Sequence, residues 1–169
     1  MDETAALIEP HVPALRRYAW ALVRDHEGAD DLVQDCLERA VGRWRLRRRE
    51  GDLRAWLFTI LHNLFIDGVR RTRRQGLRVG LDQVAAFAAP GLEQDSRMAM
   101  RDILHCLDEL AEEQRAVILL VGVEDLSYEA AARVLGVPIG TVMSRLSRGR
   151  ERLRRLLEPS AVPALRRVK

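Results

Sequence analysis

Aromatic residues make up only 5 % of this 169-residue chain, and strand-like alternation of apolar and polar residues is scarce. Sheet proteins draw on aromatic and β-branched residues in a period of two. Their shortage points to an all-α protein. Cysteine is nearly absent as well. Cys36 and Cys106 lie far apart, each on an apolar helical stripe, which excludes a disulfide framework and reads as reduced thiols within the core. No apolar run approaches the roughly 20 residues that a membrane helix needs, and the start lacks the basic and apolar regions of a secretory leader. The expectation is a cytoplasmic protein with no membrane insertion. His11, His26, His62 and His105 show no metal-ligand spacing, so neither a metal nor a cofactor is expected. The first half contains no serine, and no Tyr or His set forms a nucleophile motif. These absences argue against an enzyme.

Charge is what the chain has, and it comes in blocks. Net charge is only +3, yet Asp25 to Glu38 holds six acids and no Lys or Arg. Arg39 to Arg78 holds twelve arginines against three acids, and Arg145 to Arg155 holds six against one. A solvated surface mixes its signs. Segregated blocks imply one acidic and two basic surfaces, the latter suited to a polyanion.

Hydrophobic residues, 47 % of the chain, supply the cores, and 169 residues suit one or two small domains. Three helical patterns occupy the first half. Ile8, Val12, Leu15, Ala19, Leu22 and Val23 mark the first, with a break expected near Pro13. Leu32, Val33, Cys36, Leu37, Ala40, Val41 and Trp44 mark the buried stripe of the second, from about Ala29 to Trp44. Its opposite side carries Asp30, Asp31, Gln34, Asp35 and Glu38. Acids near a helix start favour its dipole, but this face has more than capping requires, which suggests a protein partner with a basic surface. "RWRLRRREGD" follows with no helical stripe and reads as a basic loop. In the third helix Leu53, Trp56, Leu57, Ile60, Leu61, Leu64 and Phe65 repeat at i, i+3, i+4 and predict the core face. His62 and Asn63 lie off that stripe, and Arg70, Arg71, Arg73 and Arg74 close the helix.

Gln75 to Gln94 changes character, with three glycines and a proline among short apolar clusters, and reads as a linker. Helical periodicity resumes at Met98 with Ile103, Leu104, Leu107 and Leu110, and again near Glu112 with Val117, Ile118, Leu120 and Val121. In "LSYEAAARVLGVPIGTVMSRLSRGRERLRR", Ser127 suits an N-cap and Tyr128, Ala131, Ala132 and Leu135 a buried face. Gly136 suits a left-handed helix end, and Pro138 the first turn of the next helix. Val142 and Leu146 give that helix its buried side. A small residue at the crossing and a basic end complete the sequence form of a helix-turn-helix, whose second helix enters a major groove. A domain at 1–75, a flexible linker at 76–97, a second domain at 98–160 and a tail at 161–169 follow.

Two rival readings fit parts of this pattern. A stand-alone helix-turn-helix regulator would need a sensing domain, which an arginine-rich helix does not supply. A recombinase joined to a helix-turn-helix would need a nucleophile motif in the first half.

The ordered series "ADDLVQDCLERA", "LRAWLFTILHNLFIDGVRRTRR" and "LAEEQRAVILLVGVEDLSYEAAARVLGVPIGTVMSRLSRGRERL" closely resembles the extracytoplasmic-function group of bacterial sigma factors. The resemblance covers nearly all of the chain outside the linker and tail. It implies a factor that binds core RNA polymerase and directs it to promoter DNA, restrained by an anti-sigma factor, with one domain like sigma domain two and one like sigma domain four. Larger sigma factors carry further domains, so the resemblance is to the minimal group. It implies a polymerase-docking face of Asp30, Asp31, Leu32, Gln34, Asp35 and Glu38. For the −10 element it implies Arg45, Arg47, Arg48, Arg49, His62, Asn63, Arg70, Arg71 and Arg74. For the −35 element it implies Thr141, Met143, Ser144, Arg145, Arg148 and Arg150. Met143 departs from the family's usual Lys or Arg, which removes a hydrogen-bond donor. Gly149 departs from the usual Ala, which is expected to weaken the helix by up to about 1 kcal/mol.

Overall fold

The computed structural model describes residues 3–47, 51–74 and 94–158, all of them in helices, turns and short connections. The 76–97 linker expected from the sequence falls mostly, and the 161–169 tail wholly, outside the described residues.

The first half is built on three long helices preceded by a short one. A short α1 (Glu3–Ile8) runs into a single tight turn at Glu9–His11, and α2 (Val12–Val23) follows with Pro13 in its first turn. Proline is tolerated there because its missing N–H would have no intrahelical partner. The expected break is therefore present, one turn earlier in the chain. Helix α2 ends on Arg24, whose φ of 62° is left-handed and whose N–H reaches the Trp20 carbonyl. Asp25 then caps α3 (His26–Gly42), accepting from the Gly28 N–H at 2.8 Å. Asp52 does the same for α4 (Leu53–Arg74) through the Ala55 N–H at 3.0 Å. These caps each contribute about 1 kcal/mol. Where the three helices meet, Leu15, Tyr18, Ala19, Cys36, Ala40, Leu57, Phe58 and Leu61 are buried almost completely. Each large side chain sealed in this way contributes roughly 1.5–3 kcal/mol. The Cys36 thiol donates to the Leu57 carbonyl, and burial pushes its pKa up to about 12, so it is an inert core residue.

The face of α4 differs in detail from its apolar repeat. Ala55, Phe58 and His62 are buried, while Leu53, Trp56 and Phe65 are half-buried at the margin. On α3, Val41 is exposed rather than buried.

The second half begins with α5 (Gln94–Asp108), four residues before the apolar pattern resumes. Met98 and Ile103, expected inside, are exposed, and Cys106 is half-buried. After α6 (Glu112–Val117) the chain widens into a π-helical turn over Ile118–Val123, which the apolar spacing did not foretell. Ser127 caps α7 (Tyr128–Leu135) by accepting from the Ala130 N–H at 3.1 Å, and Gly136 closes it at φ 64°. Pro138 sits in extended backbone just before α8 (Ile139–Leu157) rather than inside its first turn. Ala130, Ala131 and Val134 take the buried face of α7, whereas Tyr128 is exposed and Leu135 half-buried.

Gly149 gains a structural reason. It is buried in α8 against α6 and the π turn, and a Cβ there would stand 2.9 Å from Ile118 Cδ1 and 3.3 Å from Gln114 Cβ. Alanine would gain up to about 1 kcal/mol of helix propensity but would overpack a contact at a cost of roughly 1–3 kcal/mol. Gly149→Ala is therefore expected to be neutral or destabilising by up to about 2 kcal/mol. Urea unfolding checks this, and a clear rise in stability would mean that Ile118 yields freely.

The two halves touch. Helix α4 packs on α7, and the buried residues of both halves form one continuous cluster. Arg17 and Arg54 pair with Glu124, Arg24 with Asp108, and Arg73 with Glu112.

Candidate polymerase-docking and nucleic-acid surfaces

Helix α3 is divided lengthwise. Ala29, Val33, Cys36 and Ala40 face inward. Asp30, Asp31, Gln34, Asp35 and Glu38 are exposed on the other side, with Leu32 half-buried at the edge. Local pairs use part of this face. Asp30 stands 3.5 Å from Arg16 with both side chains largely in water, and Gln34 donates to Glu38 at 3.1 Å. Asp31 and Asp35 are one helical turn apart. Like charges at that spacing repel by a few tenths of a kcal/mol, so the pair does not serve the helix.

The basic loop opens with a tight turn at Trp44–Leu46. Trp44 meets Trp56 edge-to-face at 6.2 Å between ring centroids. The Arg47 guanidinium lies 4.8 Å over the Trp44 ring and donates to the Gly51 carbonyl at 3.3 Å. Arg47 is thus partly committed to the loop's shape, while Arg45 is exposed. Arg48 and Arg49 lie outside the described residues.

On α4 the adjacent pair His62 and Asn63 separates. Asn63 is exposed, as are Arg70, Arg71 and Arg74. His62 is only 8 % exposed. Its Nδ1 is 3.0 Å from the Tyr18 hydroxyl, and its ring neighbours Phe65. Burial lowers the His62 pKa to about 4 and raises that of Tyr18. His62 is a neutral core group, and its assignment to the −10 surface is corrected. A residue one position off an apolar stripe can fall on either side of the boundary, and Tyr18 supplies the partner that makes burial tolerable.

Helix α8 exposes Met143, Arg148 and Arg150, with Thr141, Ser144 and Arg145 half-buried. The Ser144 hydroxyl donates to the Thr141 carbonyl at 3.1 Å and accepts from Arg148 at 3.4 Å. Further along, Arg154 pairs with Glu151 and Glu158, and Arg155 with Glu151. The end of the basic tail is therefore partly neutralised on its own helix, and Arg145, Arg148 and Arg150 form the basic part nearest the turn. Val142 and Leu146 hold this helix against α7 and fix which residues face outward.

Sequence reasoning missed Glu124, Arg17, Arg54, Arg24 and Asp108. Their partners are 70 to 107 residues away in the chain, and nothing local marks such a pair. Among the described residues no group of His, Cys, Asp and Glu is placed to hold a metal ion, and no helix is long and apolar enough to cross a membrane.

Residues 8–62 match the family model described as the sigma2 domain of PhyR, and residues 100–153 match sigma-70 region 4. The chain is 38 % identical over 147 residues to the ECF RNA polymerase sigma factor EcfG of Rhodopseudomonas palustris, covering 86 % of this chain and 80 % of that protein. It is 39 % identical over 154 residues to the ECF RNA polymerase sigma factor SigE of Mycolicibacterium smegmatis, covering 88 % of this chain and 59 % of that longer protein. Among solved structures, the sigma factor RpoE of Bartonella quintana in complex with the anti-sigma factor NepR superposes with a TM-score of 0.80 at 34 % identity, over 95 % of this chain and 99 % of that one. CnrH in complex with the cytosolic domain of CnrY gives 0.69 at 26 % identity, over 91 % and 86 %.

Proposed function

Because the chain belongs to the extracytoplasmic-function family of RNA polymerase sigma factors, we propose that its three charged surfaces divide the work of promoter-specific initiation. The acidic face of α3, carrying Asp30, Asp31, Leu32, Gln34, Asp35 and Glu38, docks on core polymerase. The loop after α3 and the outer side of α4, through Arg45, Arg47, Asn63, Arg70, Arg71 and Arg74, engage the −10 element. Helix α8, through Thr141, Met143, Ser144, Arg145, Arg148 and Arg150, reads the −35 element. Arg48 and Arg49 belong to the −10 set by sequence alone. The carrying observation is the acidic face of α3, where Asp30, Asp31, Asp35 and Glu38 are exposed together around Gln34, while Arg70, Arg71, Arg73 and Arg74 are exposed at the end of α4 and Arg148, Arg150 and Arg152 on α8. A run-off transcription assay with purified core polymerase on a pool of genomic promoters tests the reading. Specific transcripts that depend on this chain are expected. Promoter binding that needs no polymerase would instead identify a stand-alone regulator.

An anti-sigma factor is the expected regulator. RpoE was solved with the anti-sigma factor NepR and CnrH with the cytosolic domain of CnrY, and the RpoE match spans both halves at once. The arrangement of halves in this chain thus suits a partner that holds them together.

Two residue tests follow. Met143 is 51 % exposed on the recognition helix and cannot donate a hydrogen bond. Met143→Arg is expected to raise −35 affinity several-fold and steepen the salt slope by about one. Titration of promoter binding against salt checks it, and an unchanged slope would place residue 143 away from phosphates.

Asn63 carries a donor and an acceptor suited to a base edge. Flipping a base costs a few kcal/mol, so the protein must hold what it extrudes. Asn63→Ala is expected to impair open-complex formation more than polymerase binding. A pre-melted −10 bubble should restore opening without restoring base preference. Wild-type preference at every −10 position on that bubble would assign Asn63 a structural role only.

A further inference from the structure

The side chain of Glu124 is 1 % exposed, and the groups around it come from the other half of the chain. Arg17 of α2 meets it with both ends of its fork, Nε to Oε1 at 2.8 Å and Nη2 to Oε2 at 2.7 Å. Arg54 of α4 donates to Oε2 at 3.1 Å and to the Glu124 carbonyl at 2.8 Å. Arg54 also rests its guanidinium 5.4 Å over the Phe58 ring, which fixes its direction. A bidentate arginine–carboxylate pair is specific in geometry as well as charge. The backbone presents the carboxylate deliberately. The π-helical turn ends at Val123, the Glu124 N–H bonds back to the Leu119 carbonyl at 2.9 Å, and Asp125 takes a left-handed φ of 55°. Aspartate is one of the few non-glycine residues that take this conformation readily, so it turns the chain sharply just after Glu124. Arg24 to Asp108 at 3.0 Å and Arg73 to Glu112 at 3.5 Å bind the same two halves on either side.

This arrangement conflicts with promoter reading. Elements at −10 and −35 are separated by about 25 base pairs, or about 85 Å at 3.4 Å per base pair. Here α4, which carries the −10 candidates, packs directly on α7, the helix that supports the −35 reader. Both elements cannot be engaged in this state. The stretch joining α4 to α5, at up to about 3.5 Å per residue, is long enough to permit wide separation.

We propose that Glu124, clasped by Arg17 and Arg54, is an intramolecular latch that holds the chain in a closed, non-reading form which polymerase must open. This rests on the sigma-factor reading given above. The latch suits reversal. Its buried charge is satisfied by residues of the opposite half, so opening trades each ion pair for hydration, and such trades come close to balance. Arg17 and Arg54 remain 48 % and 34 % exposed in their side chains, so salt and solvent reach the pair.

The test uses the full chain and two variants. Glu124→Gln keeps shape and removes the charge. The double variant Arg17→Met with Arg54→Met removes the partners and leaves Glu124 intact. Small-angle scattering at low salt reads the separation of the halves, and equilibrium binding to core polymerase reads its consequence. Both variants are expected to show a larger radius of gyration than the wild type. They are also expected to bind core polymerase about tenfold more tightly, because a larger share of the population is already competent. Wild-type chain should expand toward the same radius as salt rises. A folded Glu124→Gln protein with unchanged radius overturns the latch. A larger radius with unchanged or weaker polymerase binding overturns the inhibitory role. If Glu124→Gln fails to fold, the double arginine variant decides by the same two readings. Failure of the wild type to bind polymerase at all would instead remove the sigma-factor reading, while the scattering result would still decide whether the latch exists.

Discussion

Asp31→Lys combined with Asp35→Lys is expected to weaken binding to core polymerase by at least about 100-fold, since opposing like charges across an interface costs several kcal/mol. Both residues are exposed on α3, away from the buried line of Ala29, Val33, Cys36 and Ala40. The fold should therefore survive. Circular dichroism and the thermal midpoint should match the wild type, because reversal exchanges one like-charged pair for another at the same spacing. Asp25 is left untouched, since it caps the helix through Gly28 and its loss would confuse docking with stability. A pull-down or equilibrium titration with polymerase reads the effect. Wild-type affinity in the double variant would remove α3 as the docking surface and leave its acids as ordinary solvated charge.

A drop in stability on mild acidification is the second large effect expected. His62 has its pKa lowered from 6.5 to about 4 because burial disfavours the charged ring. In the unfolded chain the same ring titrates at its ordinary value. As pH falls from 6.5 toward 4, the unfolded state gains a proton that the folded state refuses. Stability is thus fully present above about pH 6.5, is lost progressively down to about pH 4, and loses no more from this group below that. The difference corresponds to about 3 kcal/mol, a large share of the 5–15 kcal/mol that stabilises a typical domain. His62→Gln keeps a polar group beside the Tyr18 hydroxyl and cannot titrate. Urea unfolding of wild type and variant at steps between pH 7 and pH 4.5 should show a shallower loss in the variant. Parallel curves would mean that protonated His62 finds compensation in the folded state.

That histidine also marks the boundary between what could be read from the chain and what could not. Its position one step off the apolar stripe of α4 fitted a surface beside the basic loop. The decision came from Tyr18, 44 residues earlier, whose hydroxyl lies within hydrogen-bond distance of the ring. Val41 shows the converse. It continues the stripe of α3 by spacing, yet the inward line ends at Ala40 and leaves Val41 in water. Gly149 read as a small defect in a recognition helix, and the close approach of Ile118 and Gln114 gave the missing Cβ a packing reason.

Local information determined the helices themselves. The caps at Asp25 and Ser127, the left-handed close at Gly136, the α4 apolar repeat and the segregated charge blocks act within a few residues, so the sequence by itself determines the helical character and the acidic face of α3. Tertiary structure alone decided where the helices press on one another. The burial of His62 beside Tyr18, the approach of Ile118 to Gly149 and the clasp of Arg17 and Arg54 on Glu124 depend on contacts between residues 31 to 107 positions apart in the chain. The physical reason lies in range: a cap or an amphipathic stripe is satisfied by neighbours in sequence, whereas a buried charge or a close helix crossing is satisfied by whatever the fold brings beside it.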